Sequence, residues 1–170
     1  PLDFISIFEK SGLIGTLDHH VWELACKQLK KWKDEGREKY YISVNISPKD
    51  FFFFDIYDIF TGLIEKYDIS PSKLKLEITE TAIMTDLKNS LDLIDKLRSY
   101  GFEIEMDDFG SGYSSLSMLK EINVDVLKVD MGFLEKTDNL EKSRAILHTI
   151  ILLSKQLGMQ VITEGVETEE

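Results

Sequence analysis

Five runs of this sequence have the make-up of β-strands, and a helix-patterned stretch separates each from the next: Tyr40 to Ile46, Leu74 to Thr79, Phe102 to Asp107, Val124 to Asp130 and Met159 to Glu164. A helix between two strands carries the chain back to the starting edge of the sheet, so such strands pair parallel. The expected class is therefore α/β. Parallel strands joined by helices close into a barrel or stack as an open doubly wound sheet. No Gly-rich turn follows the first strand, which counts against a dinucleotide-binding fold.

The stretches between the strands read as helices. Leu17, Val21, Leu24, Ala25 and Leu29 recur at helical spacing. Ser47-Pro48 reads as a cap followed by proline at the first helical position, and Phe51 to Tyr67 as one apolar-rich helix after it. A helix from Asn89 to Tyr100 is closed by Gly101, a short one ends over Met118 to Glu121, and Glu141 to Leu157 is stopped by Gly158. No Pro-rich linker, repeat or low-complexity tract interrupts the 170 residues, so one domain is expected over 1–170. The start without methionine and the stop just after a strand-like run read as cut ends.

Charge narrows the partners. There are 31 acidic residues against 20 basic ones, a formal charge of −11, which repels nucleic-acid backbones and anionic membrane surfaces. No nucleic-acid partner and no membrane contact are expected, and a phosphate-bearing substrate would need cations. The single cysteine, Cys26, beside Leu24 and Ala25 in a helix-patterned stretch, reads as a packed thiol. No apolar run reaches the roughly 18 residues of a spanning helix, so the cytoplasm is the expected compartment.

The informative residues stand on the strands. Alternation puts Leu74, Leu76 and Ile78 on one face and Lys75, Glu77 and Thr79 on the other; Phe102 to Asp107 and Val126 to Asp130 repeat the pattern with acids or lysine on the second face. Parallel strands are normally covered on both faces, and buried charge is costly unless paired or metal-bound. Asn45, Asp107, Asp108, Lys128 and Glu164 fall at or near the carboxyl ends of their strands, where barrel enzymes carry their sites. For Glu103 and Glu105 a structural ion pair with Lys75 or Lys128 competes with a chemical role. Oxygen donors from Asn, Asp and Glu suit a hard divalent ion such as Mg²⁺ or Mn²⁺, and His19, His20 and His148 lack zinc spacing. Asp108-Phe109-Gly110 lacks the other kinase motifs, and Ser111, Ser114 and Ser115 lack a nearby histidine base.

In order, Phe4 to Ile14, Ser43-Val44-Asn45-Ile46-Ser47, Leu76-Glu77-Ile78-Thr79-Glu80, Asp107 to Leu116, Lys128-Val129-Asp130 and Glu164-Gly165-Val166-Glu167 together resemble the EAL family of cyclic di-GMP phosphodiesterases. The resemblance implies a TIM-like (β/α) barrel, incomplete in this fragment, whose Glu-Ala-Leu signature strand would precede Pro1 and whose closing strands would follow Glu170. It implies metal-dependent hydrolysis of cyclic di-GMP to linear pGpG in bacterial signalling, at a two-metal site of Mg²⁺ or Mn²⁺. A catalytically inactive cyclic di-GMP sensor or protein-interaction module is the alternative. Carried over by motif, Asn45, Glu77 and Asp107 bind one metal, Asp107 bridges to a second, and Asp108 and Glu164 complete it. Lys128 corresponds to the residue that holds the attacking water, with Glu164 the other catalytic candidate. Glu80 corresponds to the acid that anchors the loop containing Gly110, Ser111 and Gly112, and Asp130 and Glu167 to substrate-binding or supporting positions. A homodimer and attached GGDEF or sensor domains are the implied partners. As a fragment without its signature strand, the chain is expected to be a weak phosphodiesterase.

Overall fold

The computed structural model describes residues 5–110, 116–130 and 140–164, and within them helices and strands alternate. Helices α1 (Ile5–Ser11) and α2 (Ile14–Asp34) precede β1 (Ile42–Ile46); α3 (Pro48–Phe53) and α4 (Ile56–Tyr67) lead through a 3-10 turn (Pro71–Lys73) to β2 (Leu74–Thr79). Then α5 (Glu80–Thr85) and α6 (Leu87–Tyr100) precede β3 (Glu103–Phe109), α7 (Leu116–Glu121) precedes β4 (Val126–Asp130), and α8 (Leu140–Gln156) precedes β5 (Gln160–Glu164). Strands follow the chain order in the sheet, β1-β2-β3-β4-β5. The β3/β4 and β4/β5 ladders are parallel, as the alternation of elements requires.

Three features differ from the sequence reading. The stretch from Phe51 to Tyr67 is two helices rather than one. Phe54 is extended at φ −132°, and the Asp55 side chain accepts from the Asp58 backbone N–H to start a new helix. The first of the two opens with reciprocal caps: Ser47 Oγ accepts from the Asp50 N–H, and the Asp50 carboxylate accepts from the Ser47 N–H at 2.8 Å. Helices α1 and α5 go beyond the helices that the sequence pattern predicts; α5 begins directly where β2 ends, with the Thr79 side chain accepting from Ala82 N–H. Finally, the buried stripe of α2 runs through Ile14, Trp22, Ala25, Cys26 and Leu29, leaving Val21 and Leu24 exposed. The Trp22 ring takes the inward position because its apolar body and its one donor both find partners there.

The chain divides into two compact units, Pro1–Glu77 with Lys96–Glu103, and Ile78–Asp95 with Ile104–Glu170. In the first, Trp22 packs on Phe60 with ring centroids 4.7 Å apart and Phe60 on Phe102 at 6.0 Å. Cys26 is fully buried there, and burial first, then the charge of Glu23, pushes its thiol up to about 12. It is a packed thiol, as its sequence context suggests. In the second unit Ile78, Ile83, Ile94, Ile104, Met106 and Leu127 have no accessible surface. Each such side chain contributes about 1.5–3 kcal/mol of burial, which holds the strands that carry the charged residues.

Candidate active site

In the second unit, the register of β3 against β4 slips at the residues that matter. Met106 lies opposite Leu127 and Phe109 opposite Val129, so three steps on β3 match two on β4. This is a β-bulge, and Asp107 and Asp108 occupy it, opposite Lys128. In a regular strand two neighbours point to opposite faces, and a bulge is the device by which both can be re-aimed. Asp108 is left-handed, with φ 57°, a conformation that costs a residue with a side chain about 1 kcal/mol or more. Aspartate is among the side chains that tolerate it best.

The Asp107 carboxylate is fixed from two sides. Its Oδ1 accepts from the Asp108 backbone N–H at 2.9 Å and lies 3.3 Å from Lys128 Nζ. Only 16% of the Asp107 side chain and 10% of that of Lys128 is exposed. Among the described residues both contacts fall on Oδ1. A sheltered carboxylate with one oxygen held and hard oxygen donors next to it is chemistry that fits a divalent ion. Among the described residues, no group of three or more His, Cys, Asp or Glu is gathered that could hold a metal. The side chains of Asp130 and Glu164 lie outside the description; their backbones face one another in the β4/β5 ladder, as those of Lys128 and Ile162 do. Glu167, Ser111 and Gly112 fall outside the described residues.

Glu80, the first residue of α5, is buried, and its Oε2 accepts from the Gly110 backbone N–H at 3.3 Å. Gly110 has φ 98°, which a side chain would oppose. The segment leaving the bulge is thereby tied to the start of α5.

In the first unit, Asn45 is an exposed residue of β1 whose backbone carbonyl accepts from Trp22 Nε1 at 2.9 Å. Glu77 is half-buried in β2. Lys75 pairs with Glu103 at 3.1 Å and lies 4.2 Å from the centre of the Tyr41 ring. Glu103 thus takes the structural ion-pair role left open for it by the sequence. Trp22 and the bulge escaped sequence reading because each is defined by its partner on another element. The adjacent acids at a strand end were the only local signal of the bulge.

The EAL domain family matches residues 1–170. Among curated proteins, the chain is 36% identical over 169 residues to the bifunctional diguanylate cyclase/cyclic di-GMP phosphodiesterase MucR of Pseudomonas aeruginosa, covering 99% of this chain and 25% of that protein. It is 32% identical over 170 residues to the cyclic di-GMP phosphodiesterase NbdA of the same organism, covering 100% of this chain and 22% of the relative. It therefore spans about a quarter or less of these relatives' lengths. Among solved structures, the MucR phosphodiesterase in complex with c-di-GMP superposes with a TM-score of 0.89 at 36% identity, over 99% of this chain and 68% of that one. Calcium-bound Klebsiella pneumoniae BlrP1, also with cyclic di-GMP, superposes at 0.74 with 25% identity, over 90% of this chain and 37% of that one. The chain belongs to the EAL domain family and has its α/β, TIM-barrel-like fold.

Proposed function

We propose that this chain provides the hydrolytic site for one phosphodiester bond of cyclic di-GMP, giving linear pGpG in bacterial second-messenger signalling. The observation that carries the proposal is the bulge at Asp107-Asp108 facing Lys128, in a chain whose relatives MucR and NbdA are named as cyclic di-GMP phosphodiesterases. A sheltered Asp107 beside an ammonium, followed by an exposed Asp108 held in a left-handed conformation, is costly to keep unless it is used.

Asn45, Glu77 and Asp107 would hold a first divalent ion, Mg²⁺ or Mn²⁺, with Asp107 shared with a second held by Asp108 and Glu164. When bound, two such ions supply positive charge against the phosphate oxygens and make water acidic enough to attack near neutral pH. That answers the charge of −11, which otherwise repels a phosphodiester. Lys128 Nζ, which rests against Asp107 Oδ1, would donate a hydrogen bond to the attacking water and hold its lone pair toward phosphorus. The Asp108 N–H keeps Asp107 from rotating away. Glu80 holds the Gly110 N–H, while Asp130 and Glu167 would contact substrate or support the residues that do.

A second copy of the chain as partner, attached GGDEF or sensor domains, and a cytoplasmic setting belong to the same proposal. Among the described residues, no helix is long and apolar enough to cross a membrane. The test is to incubate the intact protein with cyclic di-GMP and Mg²⁺ or Mn²⁺ and to follow pGpG by chromatography. Product that appears with metal and vanishes with chelator supports the proposal. Tight binding of cyclic di-GMP with no product would make the chain a sensor.

A further inference from the structure

Away from the bulge, the first unit holds a second pair of acids whose hydrogen bonds do not close unless a proton is added. Asp50, the third residue of α3, has no accessible surface. Its Oδ2 accepts from the Ser47 backbone N–H at 2.8 Å and from Ser47 Oγ at 2.7 Å. Its Oδ1 is buried without a hydrogen-bond partner. A buried, unpartnered carboxylate oxygen costs about 1–3 kcal/mol or more. Another acid, Asp18 of α2, stands one helical turn beyond Gly15, with its carboxyl within reach of the Asp50 and Ser47 side chains. Two carboxylates in hydrogen-bonding contact cannot both be ionised cheaply, and one proton shared between them satisfies both. The approach is close because Gly15 of α2 has no side chain: a Cβ there would stand 3.3 Å from Asp50 Oδ1 and 2.5 Å from Phe54 Cε2.

We propose that Asp18, as a neutral acid donating to Asp50 Oδ1, is a positioning residue that clamps α2 onto the Ser47–Asp50 capping box and thereby fixes the end of β1 at Asn45. The clamp works together with a second link between the same two elements, the Trp22 Nε1 bond to the Asn45 carbonyl at 2.9 Å. Ser47 is two residues past Asn45, so α2 would hold the strand end at the Asn45 carbonyl and again just beyond it. This rests on the reading of Asn45 as a metal ligand.

Burial first, then the charge and hydrogen bond of Asp50, raise the Asp18 carboxyl from its usual range to about 7. The other charged or titratable groups around the pair are His19 on α2, with its Nε2 also buried and unpartnered, and Lys10 and Lys49, which with Asp50 line a cavity of about 690 Å³. The folded chain holds the proton up to about pH 7 while the unfolded chain releases it near 3.8, so the stabilisation is complete below about 4 and is lost as pH rises through 7.

The experiment uses the intact protein in three forms: unaltered, Asp18→Asn and Asp18→Ala. Asparagine keeps an N–H donor for Asp50 Oδ1 and cannot titrate; alanine removes the donor. Without metal, the melting temperature of the unaltered protein should fall between pH 5 and pH 8, relative to Asp18→Asn, by a shift on the order of 3 °C. Parallel curves for the two would overturn the shared proton. Mn²⁺ affinity, measured at pH 6 by calorimetry, should drop about 10-fold in Asp18→Ala and be largely restored in Asp18→Asn. Asn45→Ala is the reference. If Asn45→Ala weakens Mn²⁺ and Asp18→Ala does not, the clamp is wrong; if Asn45→Ala leaves Mn²⁺ unchanged, it is the assignment of Asn45 as ligand that fails.

Discussion

Asp107 combines several contacts: it occupies the bulge, receives the Asp108 N–H and pairs with Lys128. Replacing it with asparagine keeps the shape and removes the charge. Asp107→Asn should therefore lower turnover about 100-fold or more, read as pGpG formed per minute at saturating Mn²⁺; a rate within a few-fold of the unaltered protein would refute its role as shared ligand. Lys128→Ala should act differently. An ammonium that orients water matters mainly at the transition state, so kcat should fall while KM changes little. A matching rise in KM would instead make Lys128 a substrate clamp. Asp108→Gly separates stability from function. Glycine adopts φ 57° freely, so the relief of strain offsets the added flexibility of the unfolded chain, and stability in urea should stay within about 1 kcal/mol. Metal affinity should still drop, because the carboxylate is gone.

At the scale of elements, the instructive region is the passage from β2 into α5. Thr79 ends the strand and caps the helix, so Glu80 enters the second unit as a buried acid directed at Gly110 rather than as a surface residue. Glu80→Ala would leave the Gly110 N–H without that acceptor. The expected outcome is a 10–100-fold loss in metal affinity or turnover with the core intact, visible as slower pGpG production and an unchanged far-ultraviolet circular dichroism spectrum. The start of β4 shows the same logic in a structural role. Asp125 accepts from the Ile104 N–H through its side chain at 2.9 Å and from the Gln160 N–H through its backbone at 2.8 Å, stitching β3 and β5 to β4 before the strand begins.

For the whole molecule, the charge of −11 is a standing cost that cations relieve. Mn²⁺ or Mg²⁺ should therefore raise the melting temperature in proportion to the logarithm of its concentration, with about 2.7 kcal/mol of added stability at 100 times the dissociation constant. Thermal melts across a metal titration check this, and a melting point indifferent to metal would mean that the folded chain holds no ion. The α/β class and the strand candidates were legible in the sequence because alternation of apolar residues and the turn chemistry around Gly101 and Gly158 are local signals. The second face of the strands was legible too: Lys75, Glu77 and Asp107 stand opposite the buried Leu74, Leu76, Ile78, Ile104 and Met106. What tertiary structure decided was every feature that needs a partner from elsewhere in the chain. Local sequence cannot tell that Glu103 belongs to Lys75, that Trp22 rather than Val21 turns inward to reach the Asn45 carbonyl, that β3 takes one more residue than β4 at Asp107 and Asp108, or that Asp18 and Asp50 meet across a glycine. Period and composition are written within one element, whereas register, burial of charge and the sharing of a proton depend on the distance between two elements, which folding alone sets.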